Sequence, residues 1–207
     1  MQIESWLLFC GIALIATLTP GPAVLMVAVT SLSVGFKKAL ALIIGNVTGL
    51  FIMSSFSVLG LSTVILSSSI IFTIIKYVGA IYLIYIGVRL WKSGVGSLEF
   101  EGQKKVDEGA ISLYAKGILL AITNPKAIIF TTALFPQLIV VSEQLLPQFV
   151  LLVVSFMSLS FLCLSGYALF FCRAKKGLNN FLSPKILGKV FGSAFVGDGC
   201  LLANSTR

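Results

Sequence analysis

The chemistry this 207-residue chain can offer is concentrated in two short motifs. Near the N-terminus stands Leu18-Thr19-Pro20-Gly21-Pro22-Ala23, and past the midpoint stands Ile122-Thr123-Asn124-Pro125-Lys126-Ala127. Each interrupts an apolar run, with Pro20 and Pro125 at corresponding places. A proline inside a helix removes an amide donor and clashes with the carbonyl one turn back, so the helix breaks. In hydrocarbon the freed backbone groups are tolerated only where they are buried in protein or line a watery cavity. Broken ends then supply helix N-termini for a carboxylate and unpaired carbonyls for an ammonium. A zwitterion such as an amino acid fits both poles. The competing reading is that Pro20, Pro22 and Pro125 merely kink helices for packing, but paired breaks favour a site.

Further candidates come from charge and polarity inside apolar segments. Lys126 either holds a substrate carboxylate or exchanges a proton, or else its stem lies in lipid while the ammonium snorkels to the interface. Asp198 falls towards the outer end of the last apolar segment, where a solvated carboxylate costs little, so a transport role is its lesser expectation. Gly45, Asn46, Thr48 and Gly49 put two small residues four apart, which suits close helix packing, and the Asn46 amide needs a partner or a polar cavity. The expected substrate-binding set is Thr19, Pro20, Gly21, Pro22, Asn46, Asn124, Pro125 and Lys126. The chain has no histidine, which excludes His-based zinc sites and Ser-His or Cys-His dyads. Its four cysteines show no C-x-x-C spacing and read as small apolar residues. No catalytic residue, metal or cofactor is expected.

The elements that must position these residues follow from composition. Hydrophobic residues make up 57% of the chain and charged residues 11%, against about 25% charged in soluble proteins. The solvent for most of this surface is therefore lipid. Six apolar spans are predicted, at about residues 6–29, 39–58 (with an extension towards 66), 70–90, 112–135, 146–171 and 186–203. The first lacks the basic start and small-residue cleavage site of a signal peptide, so it reads as a retained helix.

Fifteen Lys and Arg stand against seven acids, yet they do not form a nucleic-acid footprint. Twelve of the fifteen fall in three clusters between spans: Lys37 and Lys38; Arg89, Lys92, Lys104, Lys105 and Lys116; Arg173, Lys175, Lys176, Lys185 and Lys189. That is the positive-inside pattern of cytoplasmic loops, and it puts both termini outside. The chain reads as one all-α transmembrane domain over 1–207: a three-helix half at 1–90, a hydrophilic connector at 91–110 and a second half at 111–207. Three spans per half force opposite orientations, so helices one and four are the broken ones of a 3+3 inverted repeat, and their breaks should meet in one cavity.

At these residues the chain resembles the LysE/RhtB family of amino-acid exporters. The resemblance runs in order through Thr19-Pro20-Gly21-Pro22, Gly35-Phe36, Gly45 and Gly49, the segment from Gly79 to Gly87, Asn124-Pro125-Lys126-Ala127 and Phe135-Pro136-Gln137. It implies six transmembrane helices in a bacterial inner membrane. It also implies efflux of amino acids such as homoserine, threonine, leucine or lysine, coupled to the proton gradient. The chain departs from the family pattern at Asp198, and carries Asn46 near a place where some branches have an acid. The implied partners are a small amino-acid substrate, the proton and the bilayer, with homo-oligomer formation left open. The rival classes are a non-transporting membrane scaffold, which would confer no resistance to toxic amino-acid analogues, and a membrane-embedded enzyme, for which paired carboxylates and a redox cysteine pair are missing.

Overall fold

A backbone surrounded by lipid must satisfy its own polar groups, and a helix does so within one segment. The computed structural model, which describes residues 2–57, 69–94, 109–140, 142–177 and 184–204, is helical throughout, with no strand among them. In chain order the helices are α1 (Ile3–Leu18), α2 (Pro22–Val34), α3 (Phe36–Phe56), α4 (Ser69–Ser93), α5 (Ala110–Thr123) and α6 (Pro125–Ile129). A π-turn at Phe130–Leu134 then leads into α7 (Phe135–Leu138), followed by α8 (Leu145–Gly177) and α9 (Pro184–Asn204).

Helices α3, α8 and α9 are each long and apolar enough to cross a membrane. The pairs α1 with α2 and α5 with α6 also qualify, each bent at its break, by 50° and 57°. The 25 residues of α4 extend for about 37 Å at the helical rise, beyond a hydrocarbon core of about 30 Å. The expected first and fourth spans are each a bent helix pair, and α8 runs further than expected, to Gly177. Residues 58–66, towards the expected end of the second span, and residues 95–108 of the connector lie outside the described residues.

The bundle is apolar outside, and its largely apolar core encloses a few polar side chains. Ile15, Ile81 and Leu162 are exposed on its surface, whereas Asn46, Ser57, Asn124, Thr131 and Ser160 are buried. With lipid as apolar as leucine, association depends on close packing rather than on removing apolar surface from water. Glycines permit it. A Cβ at Gly45 would strike the Tyr114 backbone, and one at Gly49 would lie 2.6 Å from the Ala121 Cβ, so α3 and α5 touch backbone to backbone. Gly87 and Gly192 do the same for α4 and α9, where a Cβ on Gly87 would come within 2.8 Å of the Gly192 carbonyl oxygen. Beside the breaks the ring of Phe130 stacks on Phe156 at 4.6 Å and Phe9 meets Phe135 edge-on at 5.5 Å, walling the interior with rigid side chains.

Candidate functional site

The two breaks share a construction. In each, an extended residue caps a new helix whose first position is proline: Gly21 before Pro22 in α2, and Asn124 before Pro125 in α6. Proline suits that position because its missing N–H is one a helix start leaves unbonded anyway, and its presence pushes the preceding residue to extended backbone. The residue matching Pro125 is therefore Pro22, not Pro20 as alignment of the motifs suggests. Pro20 lies within the break itself.

The carbonyls one turn before Pro22 and Pro125 can then be followed. Pro22 cannot bond the Leu18 carbonyl one turn back; the Tyr167 hydroxyl of α8 donates to it instead, at 2.7 Å. Pro125 likewise cannot reach Ala121, whose carbonyl accepts the Asn124 N–H at 3.2 Å. The Asn124 side chain completes the cap, its Oδ1 accepting from the Lys126 N–H at 3.1 Å. The Thr19 carbonyl, in the first break, accepts from Lys126 Nζ at 3.3 Å. A side chain born in one break thus bonds the backbone of the other.

Both breaks line a single cavity of about 60 Å³, whose polar wall is Thr17, Thr19, Asn46, Asn124, Lys126 and Ser160. That is several times what one water needs. Asn46 reaches it from α3, only 3% exposed, with its Oδ1 buried and without a hydrogen-bond partner. Of the expected set, Thr19, Gly21, Asn46, Asn124 and Lys126 meet at this cavity. Pro20, Pro22 and Pro125 do not line it; they shape the backbone, and Pro125 is buried against Gly79 of α4.

The expectation for Asp198 changes here: it is not a solvated carboxylate at a helix end but faces Lys126, for which the sequence left solute binding, proton exchange and snorkelling open. Lys126 Nζ lies 3.2 Å from Asp198 Oδ2 on α9, with the side chains 24% and 12% exposed. A lone charge is expensive among apolar helices, so opposite charges pair. Sequence reasoning passed over Thr17, Ser160 and Phe156, whose only signal was a hydroxyl or ring within a long apolar run.

Apolar helices, with two bent pairs around a cavity that several polar side chains line, make up the build of a multi-pass membrane transporter. The chain belongs to the LysE type translocator family, whose model matches residues 14–206. It is 32% identical over 205 residues to a homoserine/homoserine lactone efflux protein of Salmonella typhi, covering 99% of this chain and 98% of that one. It is similar to an uncharacterized membrane protein of Vibrio cholerae, 31% identical over 208 residues and 99% of each chain. Another relative is the membrane protein YrhP of Bacillus subtilis, 32% identical over 204 residues, 95% of this chain and 97% of that one. No solved structure gives a significant match. The names of the family and its relatives point to transport rather than to enzymatic catalysis.

Proposed function

We propose that the chain is a secondary active exporter of small amino acids and their derivatives, of the homoserine type, driven by the proton gradient. The observation that carries this reading is the shared cavity, where Thr19, Gly21, Asn46, Asn124 and Lys126 converge from three elements. The cavity offers a zwitterion a freed carbonyl at Thr19, an unpartnered acceptor at Asn46, the N-terminus of α2 at Gly21 and the cation of Lys126. Pro20, Pro22 and Pro125 serve it by holding the breaks open. The export of homoserine and its lactone, which the name of the Salmonella relative gives to that protein, sets the substrate class.

Transport proceeds by alternating access, in which one half of a six-span 3+3 inverted repeat rocks against the other around this site. Helix pairing supports the repeat: α3 lies along α5, α8 lies along α1 and α2, and α4 packs on α9. The second span of each half thus rests on the broken span of the other, and the two third spans face one another, as a two-fold axis requires. The test is a panel of amino-acid efflux measurements on cells expressing the protein, with and without an uncoupler. Asn124→Ala or Pro125→Ala should lower export at normal membrane abundance, and efflux unchanged by both substitutions would sink the site.

A further inference from the structure

We propose that the Asp198 carboxylate and the Thr19 carbonyl form the subsite for the amino group of the exported solute, and that the Lys126 ammonium occupies this subsite until the solute displaces it. The assignment rests on the export reading above. In the structure Lys126 Nζ sits between Thr19 O at 3.3 Å and Asp198 Oδ2 at 3.2 Å. A primary ammonium with three donors asks for such a pair, a main-chain carbonyl and a carboxylate in a poorly solvated place. The lysine side chain is an internal copy of the group the site is built to receive. Asn46 Oδ1, buried and unpartnered, adds an acceptor on the wall of the cavity that Thr19 and Lys126 line; Asp198, bonded to Lys126, does not itself line it.

Charge accounting leads to the same residue. Of the seven acids, Glu4 lies in the first turn of α1, Glu143 in the turn before α8, and Glu99, Glu101, Asp107 and Glu108 in the connector. Asp198 alone is set within the long apolar runs, and so it alone can balance a solute ammonium there. For an amino acid, exchange of one ammonium for another at Asp198 keeps every charge paired: the solute cation takes the carboxylate, and the freed Lys126 meets the solute carboxylate; a lactone brings no carboxylate, leaves Lys126 unpaired and so binds more weakly. Binding beside an intact Lys126–Asp198 pair would leave both poles of the solute without a counter-charge, which low-dielectric surroundings penalise. Lys126 is suited to the exchange because its four-carbon stem is flexible; it runs past Gly21, where a Cβ would make ordinary contact with Lys126 Cδ at 3.8 Å. The amino group is then the obligatory recognition element and the carboxylate an aid, so an amino acid and its lactone are both ligands while the corresponding hydroxy acid is not.

The experiment is calorimetric titration of the purified full-length protein in detergent with L-homoserine, L-homoserine lactone and 2,4-dihydroxybutyrate, alongside efflux of the first two. The wild type should bind the two amines and not the hydroxy acid. Asp198→Asn should weaken both amines by about tenfold or more, the loss of a charge-assisted contact. Lys126→Met should weaken L-homoserine by a similar factor and tighten the lactone, because it removes the ammonium that competes for Asp198, a split that a purely structural ion pair would not produce. Wild-type binding of 2,4-dihydroxybutyrate as tightly as L-homoserine overturns the assignment without recourse to any variant, which matters because Asp198→Asn strips Lys126 of its counter-ion and can unfold the protein. Unaltered amine affinity in Asp198→Asn, or lactone binding no tighter in Lys126→Met, overturns it as well. Wild-type export together with an unaltered Asp198→Asn variant removes this assignment alone; a wild type that neither exports nor binds either amine removes the export reading with it.

Discussion

Replacing Gly117 with alanine should prise α3 from α5 and carry Asn46 away from the cavity. A Cβ at residue 117 would lie 2.7 Å from the Asn46 amide nitrogen and 3.0 Å from the Gly45 carbonyl carbon, and closer still to the Leu42 carbonyl oxygen. All three are main-chain atoms of α3, so no side-chain rotation relieves the clash, and the helices must part by roughly 1 Å to restore ordinary contact. Overpacking of this kind costs about 1–3 kcal/mol. Alanine also gains about 1 kcal/mol over glycine in a helix, which masks part of the loss. Gly166→Ala on α8 isolates that gain, because a Cβ there meets nothing within 4 Å. The difference between the two variants should therefore be about 1–3 kcal/mol, with Gly117→Ala the less stable. The assay is thermal unfolding of both proteins in one detergent, paired with efflux from cells at matched abundance. Gly117→Ala should also lose export, because Asn46 shares the backbone that must move. A Gly117→Ala protein that unfolds no earlier than Gly166→Ala and exports like the wild type would refute the link between helix spacing and the site.

Asn46→Leu should keep or raise the melting temperature, since it deletes a buried acceptor with no partner, a group that costs about 1–3 kcal/mol; efflux should fall nonetheless, and a loss of stability with efflux preserved would reverse the reading. Tyr167→Phe should cost about 1 kcal/mol by stripping the Leu18 carbonyl of its 2.7 Å donor, seen as earlier unfolding and slower export. Gly35 joins α2 to α3 at φ 88° and ψ 174°, backbone that only glycine adopts readily, so Gly35→Ala should destabilise by about 1–3 kcal/mol. With nothing within 4 Å of its Cβ, that loss is one of backbone strain, and export per folded molecule should be retained.

The parts of this molecule that could be read from its chain are those whose causes are local. A proline lacks its N–H wherever it stands, so both breaks were visible at residues 19–22 and 124–126, as was the need for something to meet the freed groups. Small residues at Gly45 and Gly49 announced a close helix contact, though not that Gly117 would supply the other face. The restart of α2 at Pro22 rather than Pro20 escaped notice because either proline satisfies the pattern, and only the extended backbone of Gly21 decides between them. Tyr167 could not have been matched to Leu18, since 149 residues separate them.

By itself the sequence determined the solvent, the apolar helical character, the two interruptions and the residue types waiting at them, because each follows from continuous stretches of composition or from one residue's covalent geometry. Only the tertiary structure decided that Lys126 bonds the Thr19 carbonyl and pairs with Asp198, 72 residues further on. Whether a lysine in an apolar run snorkels, binds solute or finds an acid depends on what the neighbouring helix presents at its depth. That is set by how α6 and α9 come to lie in the bundle, not by any feature within reach of Lys126 along the chain.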